Sequence, residues 1–259
     1  MLRAVFTPNK VVSKKVMAMI AITQIFAFFV IWIVMAPKII PRPMEVLQAF
    51  GPLWKQGIAG HLWVSLTTNL IALFFTMVIS LFISYSTAIS FMRPPAAAIS
   101  KMRFLGLTGL TLIFTLLIGG GLGLKVAIIV FGMTVFTVTN LVAMIRMIPR
   151  ERYDHARTLR YSEVRIVWEV VVRGKLDEVF EIMRQNAAIG WMMLAMVEGI
   201  VRSEGGIGSV LLTQNKYFNL SAVFAIQIMI FFAGIGTDWV LGTLKGVACP
   251  WASLKLERR

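Results

Sequence analysis

Long runs of apolar residues without a charge are the feature that most restricts what this chain can fold into. Residues 16–36 form one such run of 21 residues, and residues 62–92 form another of 31. A helix needs about 20 apolar residues to cross the hydrocarbon core of a bilayer. With 58% apolar and only 15% charged residues, the chain is not a soluble enzyme, a disulfide scaffold or a disordered polypeptide.

Six candidate transmembrane helices follow from these runs, which predicts an all-α integral membrane protein. The third run is the shortest, the fifth contains Glu181, Arg184 and Glu198, and the sixth carries Asp238 near its end. In chain order the candidates are residues 16–36, 62–92, 104–118, 126–145, 179–201 and 222–241.

The basic residues orient these helices. Nineteen of the 26 Lys and Arg residues lie in four segments on one side of the candidate spans: 1–15, 93–103, 146–178 and 242–259. The positive-inside rule then places both termini in the cytoplasm. We therefore interpret the formal charge of +14 as a topology signal, and we expect no nucleic acid partner.

The domain organisation follows from the same pattern. The first run is longer than the core of a signal peptide and no small-residue cleavage site follows it, so we expect an uncleaved first helix. We predict a single transmembrane domain over residues 1–259. It comprises a tail and first helix in 1–36, and core helices in 62–247 that include a cytoplasmic loop at 146–178.

Motifs for catalysis or cofactor binding are missing from the sequence. Gly174-Lys175 lacks the upstream glycine of a phosphate-binding loop, and the glycines at 119–123 are typical of a tight turn between two spans. The single cysteine, Cys249, offers neither a disulfide nor a metal cluster. We expect a chain that is not an enzyme and that binds no metal or cofactor by itself.

Polar residues inside the candidate spans allow two interpretations. Arg184 and Asp238 lie near span ends, where they can snorkel to the cytoplasmic interface, whereas Glu198 is either an interfacial anchor or a functional group. A stripe of small polar residues in the second span serves either close helix packing or a polar route; its members are Ser65, Asn69, Thr76, Ser80 and Ser84. Glu198, Ser80 and Ser84 are the candidate pathway or gating residues.

The longest hydrophilic segment, residues 146–178, holds 8 basic and 6 acidic residues that alternate along the chain. Ser162 can cap a short helix there, and we expect Gly174 to end it. Four residues recur at helical spacing and predict one apolar face: Val164, Val167, Trp168 and Val171. Such a helix docks into a partner's groove or lies on lipid headgroups, and both alternatives stay open.

Three short motifs in this segment and around it resemble those of permease subunits of bacterial ABC importers. Asp154-His155-Ala156-Arg157-Thr158-Leu159 resembles the family's E-A-A-R-T-L-G loop. Met196-Val197-Glu198-Gly199 with Gly206-Ile207-Gly208 resembles a second motif. The third runs from Ile40 through Pro41-Arg42-Pro43-Met44-Glu45-Val46-Leu47 to His61-Leu62 and Ser65-Leu66, and it resembles the nitrate/sulfonate/taurine branch. The resemblance covers about residues 40–245.

The resemblance implies a type I importer-like permease fold in the bacterial inner membrane and a non-catalytic, multi-pass transport subunit. It implies as partners ABC ATPase subunits, a second permease chain that is identical or different, and a periplasmic or lipid-anchored solute-binding protein, besides membrane lipid. ATP hydrolysis would then belong to a separate chain. The implied ATPase-coupling residues are Asp154, Ala156, Arg157, Thr158, Leu159 and Arg160.

The chain also departs from the family pattern. Arg160 replaces the glycine of the loop motif, and a side chain disfavours positive φ, so we expect the coupling geometry to differ from the family's. Residues 170–173 lack the family's proline, and only Pro94 and Pro95 remain before the third span. An ion-coupled carrier or channel acting alone, and a membrane scaffold without transport, remain as alternatives.

Overall fold

The computed structural model describes residues 13–35 and 39–251, so the basic residues predicted in the N-terminal tail before residue 13 lie outside it, as do those after residue 251. Regular structure within these ranges is helical: α1 (Lys14–Met35), α2 (Pro43–Lys55), α3 (Ile58–Ser86), α4 (Arg93–Lys101), α5 (Leu107–Ile118), α6 (Gly121–Arg146), α7 (Arg150–Thr158), α8 (Glu163–Ile166), α9 (Leu176–Ile200), α10 (Ile207–Lys216) and α11 (Leu220–Ala248). Short 3₁₀ turns at Ser90–Met92 and Met102–Phe104 flank α4, and a π-helix at Val167–Arg173 continues α8.

Four described helices are long and apolar enough to cross a membrane: α3, α6, α11 and the segment Lys15–Val34 of α1. A fifth is present if Ser90–Phe104 and Leu107–Ile118 form one span, although the two segments are bent by 114°. Together these helices confirm the prediction of an all-α membrane protein. The count of six spans and the positions of the termini stay predictions.

Two predicted spans are interrupted. The second run predicted continuous helix to residue 92, but α3 ends at Ser86, where the Thr87 side chain donates to the Ser84 carbonyl at 2.6 Å. The third run predicted helix from residue 104, but Leu105 and Gly106 are extended, with ψ of 129° and 124°. These two residues break the helix and produce the bend before α5.

The predicted fifth span forms α9, which has 25 residues but is too polar to be counted among the apolar helices. Arg184, Gln185 and Asn186 follow one another in its first half, and Glu198 lies near its end. Asn186 and Glu198 are fully buried. Their polar groups therefore face protein, which hydropathy along one helix does not detect.

The main core lies between α3, α6 and α9. Its fully buried members include Leu73, Ile129 and Leu194. At Gly190 of α9, an added Cβ would come within 2.5 Å of the Asn69 amide oxygen. The absence of a side chain at Gly190 therefore lets α3 and α9 pack closely, as small residues do in membrane helix pairs.

A second core joins α2, α10, α11 and the start of α3, around Val46, Leu53 and Ile226. The sequence analysis did not predict α2. It begins at Pro43, whose fixed φ suits the first helical position, and the Arg42 backbone N–H donates to the Glu45 carboxylate at 3.1 Å. Because α2 packs in this core, the helical bundle begins before residue 62, where the core helices were predicted to start.

Helix α1 lies at the side of the bundle. Its Trp32 Nε1 donates to the Pro41 carbonyl at 3.2 Å, and its ring lies 6.1 Å from that of Phe224 in α11. Most other described side chains of α1 are exposed and apolar. A helix that is apolar on every side and exposed in this way is suited to contact with lipid.

Candidate functional site: the cytoplasmic loop and the Glu198 cluster

The loop predicted to couple to an ATPase folds as a helical hairpin without a span of its own. Helix α7 ends in a turn in which the Tyr161 N–H donates to the Ala156 carbonyl and the Arg160 N–H donates to the Arg157 carbonyl. The Ser162 hydroxyl then accepts from the Arg165 N–H at 3.4 Å and caps α8. The predicted cap at Ser162 is thereby confirmed.

Arg160 takes the conformation that the sequence analysis considered closed to it. Its φ is +56°, in the left-handed region, and the surrounding hydrogen bonds are those of a helix C-terminal turn that usually holds glycine. The expectation that Arg160 lacks access to positive φ was therefore wrong, whereas a coupling geometry different from the family's stays a prediction. The helix-end hydrogen bonds impose the turn at a cost of about 1–2 kcal/mol for a side-chain-bearing residue.

Arg157 links the two arms of the hairpin. Its guanidinium lies 3.0 Å from a carboxylate oxygen of Asp154 on α7 and 3.0 Å from one of Glu163 on α8. The hydrogen bond from Arg157 lowers the pKa of Glu163, and the same contact raises that of Arg157. The predicted coupling residue Arg157 thus holds the loop together in this conformation.

The other predicted coupling residues are divided between the interior and the surface of the hairpin. Ala156 is buried, and the Thr158 hydroxyl donates to the His155 carbonyl at 2.6 Å. Leu159, in contrast, is 53% exposed although it is apolar. Leu159 is therefore the one of these three that presents an apolar side chain to a partner.

The residues predicted to share one apolar face on the second arm differ in their exposure. Val164 and Trp168 are 82% and 55% exposed, whereas Val171 is buried with Ile166. The π-helix has a longer hydrogen-bond repeat than an α-helix, and it rotates Val171 away from the face of Val164. We name the exposed residues Leu159, Val164 and Trp168 the loop patch.

A second group of predicted residues meets at the other end of α9. The Glu198 carboxylate is fully buried and accepts from the Ser65 hydroxyl, at 2.7 and 2.8 Å to its two oxygens. It also accepts from the Gly208 N–H at 2.9 Å, and the Ile207 N–H donates to the Ser65 hydroxyl at 2.8 Å. Glu198 thereby connects α3 and α9 to the first turn of α10.

Two further side chains hold the backbone before α10. The His61 ring nitrogen Nδ1 accepts from the Gly206 N–H at 3.1 Å, and the buried Lys125 ammonium donates to the Gly205 carbonyl at 2.7 Å. Lys125 also interacts electrostatically with Glu198. We name His61, Ser65, Lys125, Glu198 and the backbone of residues 205–208 the Glu198 cluster.

The Glu198 cluster unites two motifs that lie far apart in the sequence. His61 and Ser65 belong to one, and Glu198, Gly206 and Gly208 belong to the other. Gly206 has a φ of +112°, and an added Cβ would overlap the Glu198 carboxylate. The motifs therefore specify a helix N-terminus held by a buried carboxylate, which is a favourable place for negative charge.

Lys125 is the member that sequence reasoning missed. It lies on α6, directly before the predicted span 126–145, and no role was predicted for it from the sequence. No local pattern connects it to the Gly205 carbonyl 80 positions later. The one signal in the sequence is its position, because Lys125 directly precedes an uncharged run of 20 residues, 126–145.

The polar stripe of α3 lies inside the bundle. Ser80 and Ser84, like Thr76, are fully buried, and their hydroxyls have no hydrogen-bond partner within the described residues. Small buried side chains of this kind allow α3 to pack closely against its neighbouring helices. A role of Ser80, Ser84 or Glu198 in a pathway or gate stays a prediction.

Charged residues also link α9 to α11. Arg184 Nε and Nη2 donate to the two carboxylate oxygens of Asp238 at 2.9 and 2.6 Å, and Lys245 donates to Glu181 at 2.7 Å. Arg184 and Asp238 thus form a bidentate pair. Their position at the cytoplasmic interface stays a prediction.

Comparisons with known proteins place these features in context. No model of a known protein family matches the chain. It is similar to the taurine transport system permease protein TauC of Escherichia coli (strain K12), with 22% identity over 237 residues, which cover 83% of this chain and 81% of that protein. The match confirms the resemblance to permeases of the nitrate/sulfonate/taurine branch. With the apolar helices, it supports a permease subunit in a multi-pass membrane protein.

Proposed function

We propose that this chain is the permease subunit of an ATP-driven importer of the inner membrane, with the loop hairpin as the contact to a separate ATPase. A solute-binding protein would deliver a small solute to the opposite face, and a second permease chain would complete the pathway. The observation that carries the proposal is the loop patch, which lies on a folded hairpin without a membrane span.

The loop patch has the composition of a protein contact. Leu159, Val164 and Trp168 are large apolar residues that remain exposed, and charged residues surround them along the hairpin. Tryptophan is enriched among the residues that dominate binding energy, and the contacts around such an anchor exclude water from it. A surface that only faced water would gain nothing from exposing them.

The hairpin is also built to move as one unit. Arg157 joins α7 to α8 through Asp154 and Glu163, and Ile166 and Val171 of the second arm are buried. We therefore expect a push on the loop patch to move the hairpin as one body. Rigid-body coupling of this kind is a common route from one state of a transporter to another.

The charged residues of the predicted spans favour this proposal over a stand-alone ion-coupled carrier. Arg184 and Asp238 are paired with each other, and Glu198 is held by the Ser65 hydroxyl and the Gly208 N–H. Arg184 and Asp238 do line a cavity, but a coupling-ion site would need ionisable groups that are free to change partners. Purified chain in liposomes should accordingly transport no solute when the ATPase is absent.

ATP hydrolysis that copurifies with the tagged chain tests the ATPase contact without knowledge of the solute. We expect Val164→Asp and Trp168→Ala to reduce copurifying hydrolysis about tenfold or more, because hot-spot residues contribute about 2 kcal/mol or more each. The matched control is Arg152→Asp, which changes an exposed residue of the same loop outside the loop patch. The amount of chain in the membrane should stay the same in all three.

Two results would contradict the proposal. One is equal copurifying hydrolysis for Val164→Asp, Trp168→Ala and the wild type. The other is solute transport by the lone chain in liposomes, which would instead favour the carrier.

A further inference from the structure

A cavity of about 590 Å³ separates the loop hairpin from the ends of the spans. Its walls come from the end of α3, from α4, from the end of α6 and from both arms of the hairpin. We name it the inner cavity. The segments that surround it are the ones that the distribution of basic residues places on the cytoplasmic side.

The inner cavity is lined by more positive than negative charge. Its basic residues are Arg93, Arg146, Arg150 and Arg157, and its one acidic residue is Glu163. Arg157 is already paired with Glu163. The positive charge of the other three arginines is therefore not balanced by a carboxylate of the cavity wall.

These three arginines are available to a ligand. Arg93 uses Nε to donate to the Thr87 carbonyl at 3.2 Å, which leaves its terminal nitrogens. Arg146 and Arg150 make no hydrogen bond or ion pair to the described part of the chain and are exposed. Three guanidinium groups from three different helices thus border one cavity without an anionic partner.

Hydroxyl groups complete the lining. Ser84 is fully buried, and its hydroxyl has no partner within the described residues. The phenols of Tyr85 and Tyr153 also line the cavity, and burial raises the pKa of Tyr153, which keeps its proton available for donation. Planar guanidinium groups together with neutral hydroxyl donors suit the several acceptor oxygens of a phosphate group.

We propose that the inner cavity binds a phosphate-bearing anion, such as the headgroup of an anionic phospholipid or a free phosphate compound of the cytoplasm. Basic pockets between membrane helices on this side bind such headgroups in general. The ligand would contact α4, the end of α6 and α7 at once. Its binding would therefore hold the loop hairpin against the spans.

The site goes beyond the proposed function, because its test measures binding and needs neither transport nor an ATPase. The full chain, purified in an uncharged detergent and stripped of lipid, is titrated with dihexanoyl phosphatidylglycerol and, separately, with inorganic phosphate. A ligand at concentration L that binds the folded state stabilises it by RT ln(1 + L/Kd), so the unfolding temperature rises once the ligand concentration exceeds Kd, and Kd follows from the rise. We expect this rise with at least one of the two probes.

Two double variants distinguish a site from general surface charge. Arg146→Gln with Arg150→Gln should weaken binding about tenfold or more, because charge-assisted hydrogen bonds to phosphate are lost. Arg165→Gln with Arg173→Gln removes the same charge from the same cytoplasmic loop but lies outside the cavity lining. This control should change Kd by less than about twofold.

The two probes also identify the source of the phosphate. Binding of phosphatidylglycerol alone supports the site with a lipid ligand, and equal binding of inorganic phosphate supports it with a soluble ligand. The proposal is overturned if neither probe raises the unfolding temperature. It is equally overturned if the two double variants weaken binding by the same factor.

Discussion

Substitution of Gly206 by alanine should be far more damaging than the same change at Gly57. Both glycines have positive φ, at +112° and +81°. An added Cβ at Gly57 has nothing within 4 Å, whereas one at Gly206 lies 2.6 Å from the Glu198 oxygen Oε2 and closer to the rest of the carboxylate. Gly57→Ala therefore measures backbone strain alone, at about 1–2 kcal/mol.

The cost at Gly206 has two parts. Backbone strain contributes about 1–3 kcal/mol. In addition, the Glu198 carboxylate must move away from the new methyl group, which disturbs its bonds from the Ser65 hydroxyl and the Gly208 N–H. Each hydrogen bond to a charged group is worth about 1.5–3 kcal/mol. We therefore expect Gly206→Ala to reduce the free energy of unfolding by about 4–6 kcal/mol.

Unfolding by SDS in mixed micelles, followed by circular dichroism, measures these differences. A double-mutant cycle with Glu198→Ala isolates the clash, because Gly206→Ala should cost only its backbone strain once the carboxylate is gone. We expect a coupling of about 2–3 kcal/mol between the two sites. Equal costs for Gly206→Ala and Gly57→Ala, or strictly additive effects of Gly206→Ala and Glu198→Ala, would refute this reasoning.

Three further predictions concern the cytoplasmic side. Arg160→Gly should stabilise the loop by about 0.5–1 kcal/mol, since it removes left-handed strain but adds backbone entropy; weaker amide protection in hydrogen exchange would contradict this. Asp238→Asn should destabilise the fold by about 1–3 kcal/mol because Arg184 loses its bidentate partner. Exchanging the two charges should restore the melting temperature, and no recovery would contradict a stabilising role of this pair. The hydrogen bond from Arg157 lowers the pKa of Glu163. The protection of loop amides from hydrogen exchange by this ion pair should therefore persist from about pH 8 to about pH 6 and decrease only as acid protonates Glu163 below its usual pKa of about 4.3. A loss of protection near neutral pH would contradict this.

The long apolar helices were predictable from the sequence because each residue contributes its own hydropathy, whatever its distant neighbours are. The predicted run 126–145 lies within α6, and the predicted run 222–241 lies within α11. Their ends were harder to predict. These helices extend past the ends of the runs; α6, for example, begins before Lys125, whose contact with the Gly205 carbonyl accommodates its charge.

Pairings between distant residues were not predictable for the same reason. Nothing local to Arg184 indicates Asp238, which is 54 positions away, and nothing local to Ser65 indicates Glu198. The motifs identified these residue types, but only the packing of α3, α9 and α10 shows that they share one cluster. The turn at Arg160 is similar, because its hydrogen bonds and not its side chain decide the backbone conformation.

The composition of α9 has a consequence for how the chain enters the membrane. A charged residue costs up to about 2.5–3.5 kcal/mol to insert, and most at the centre of an isolated helix; α9 carries Arg184 and Glu198 nearer its ends, together with the buried amide of Asn186. As the predicted fifth span, α9 is therefore poorly retained by lipid alone. Ser65 of α3 is synthesised before Glu198, so the earlier helices are already present when α9 emerges. Insertion of α9 and its packing against them would then be one event during biogenesis.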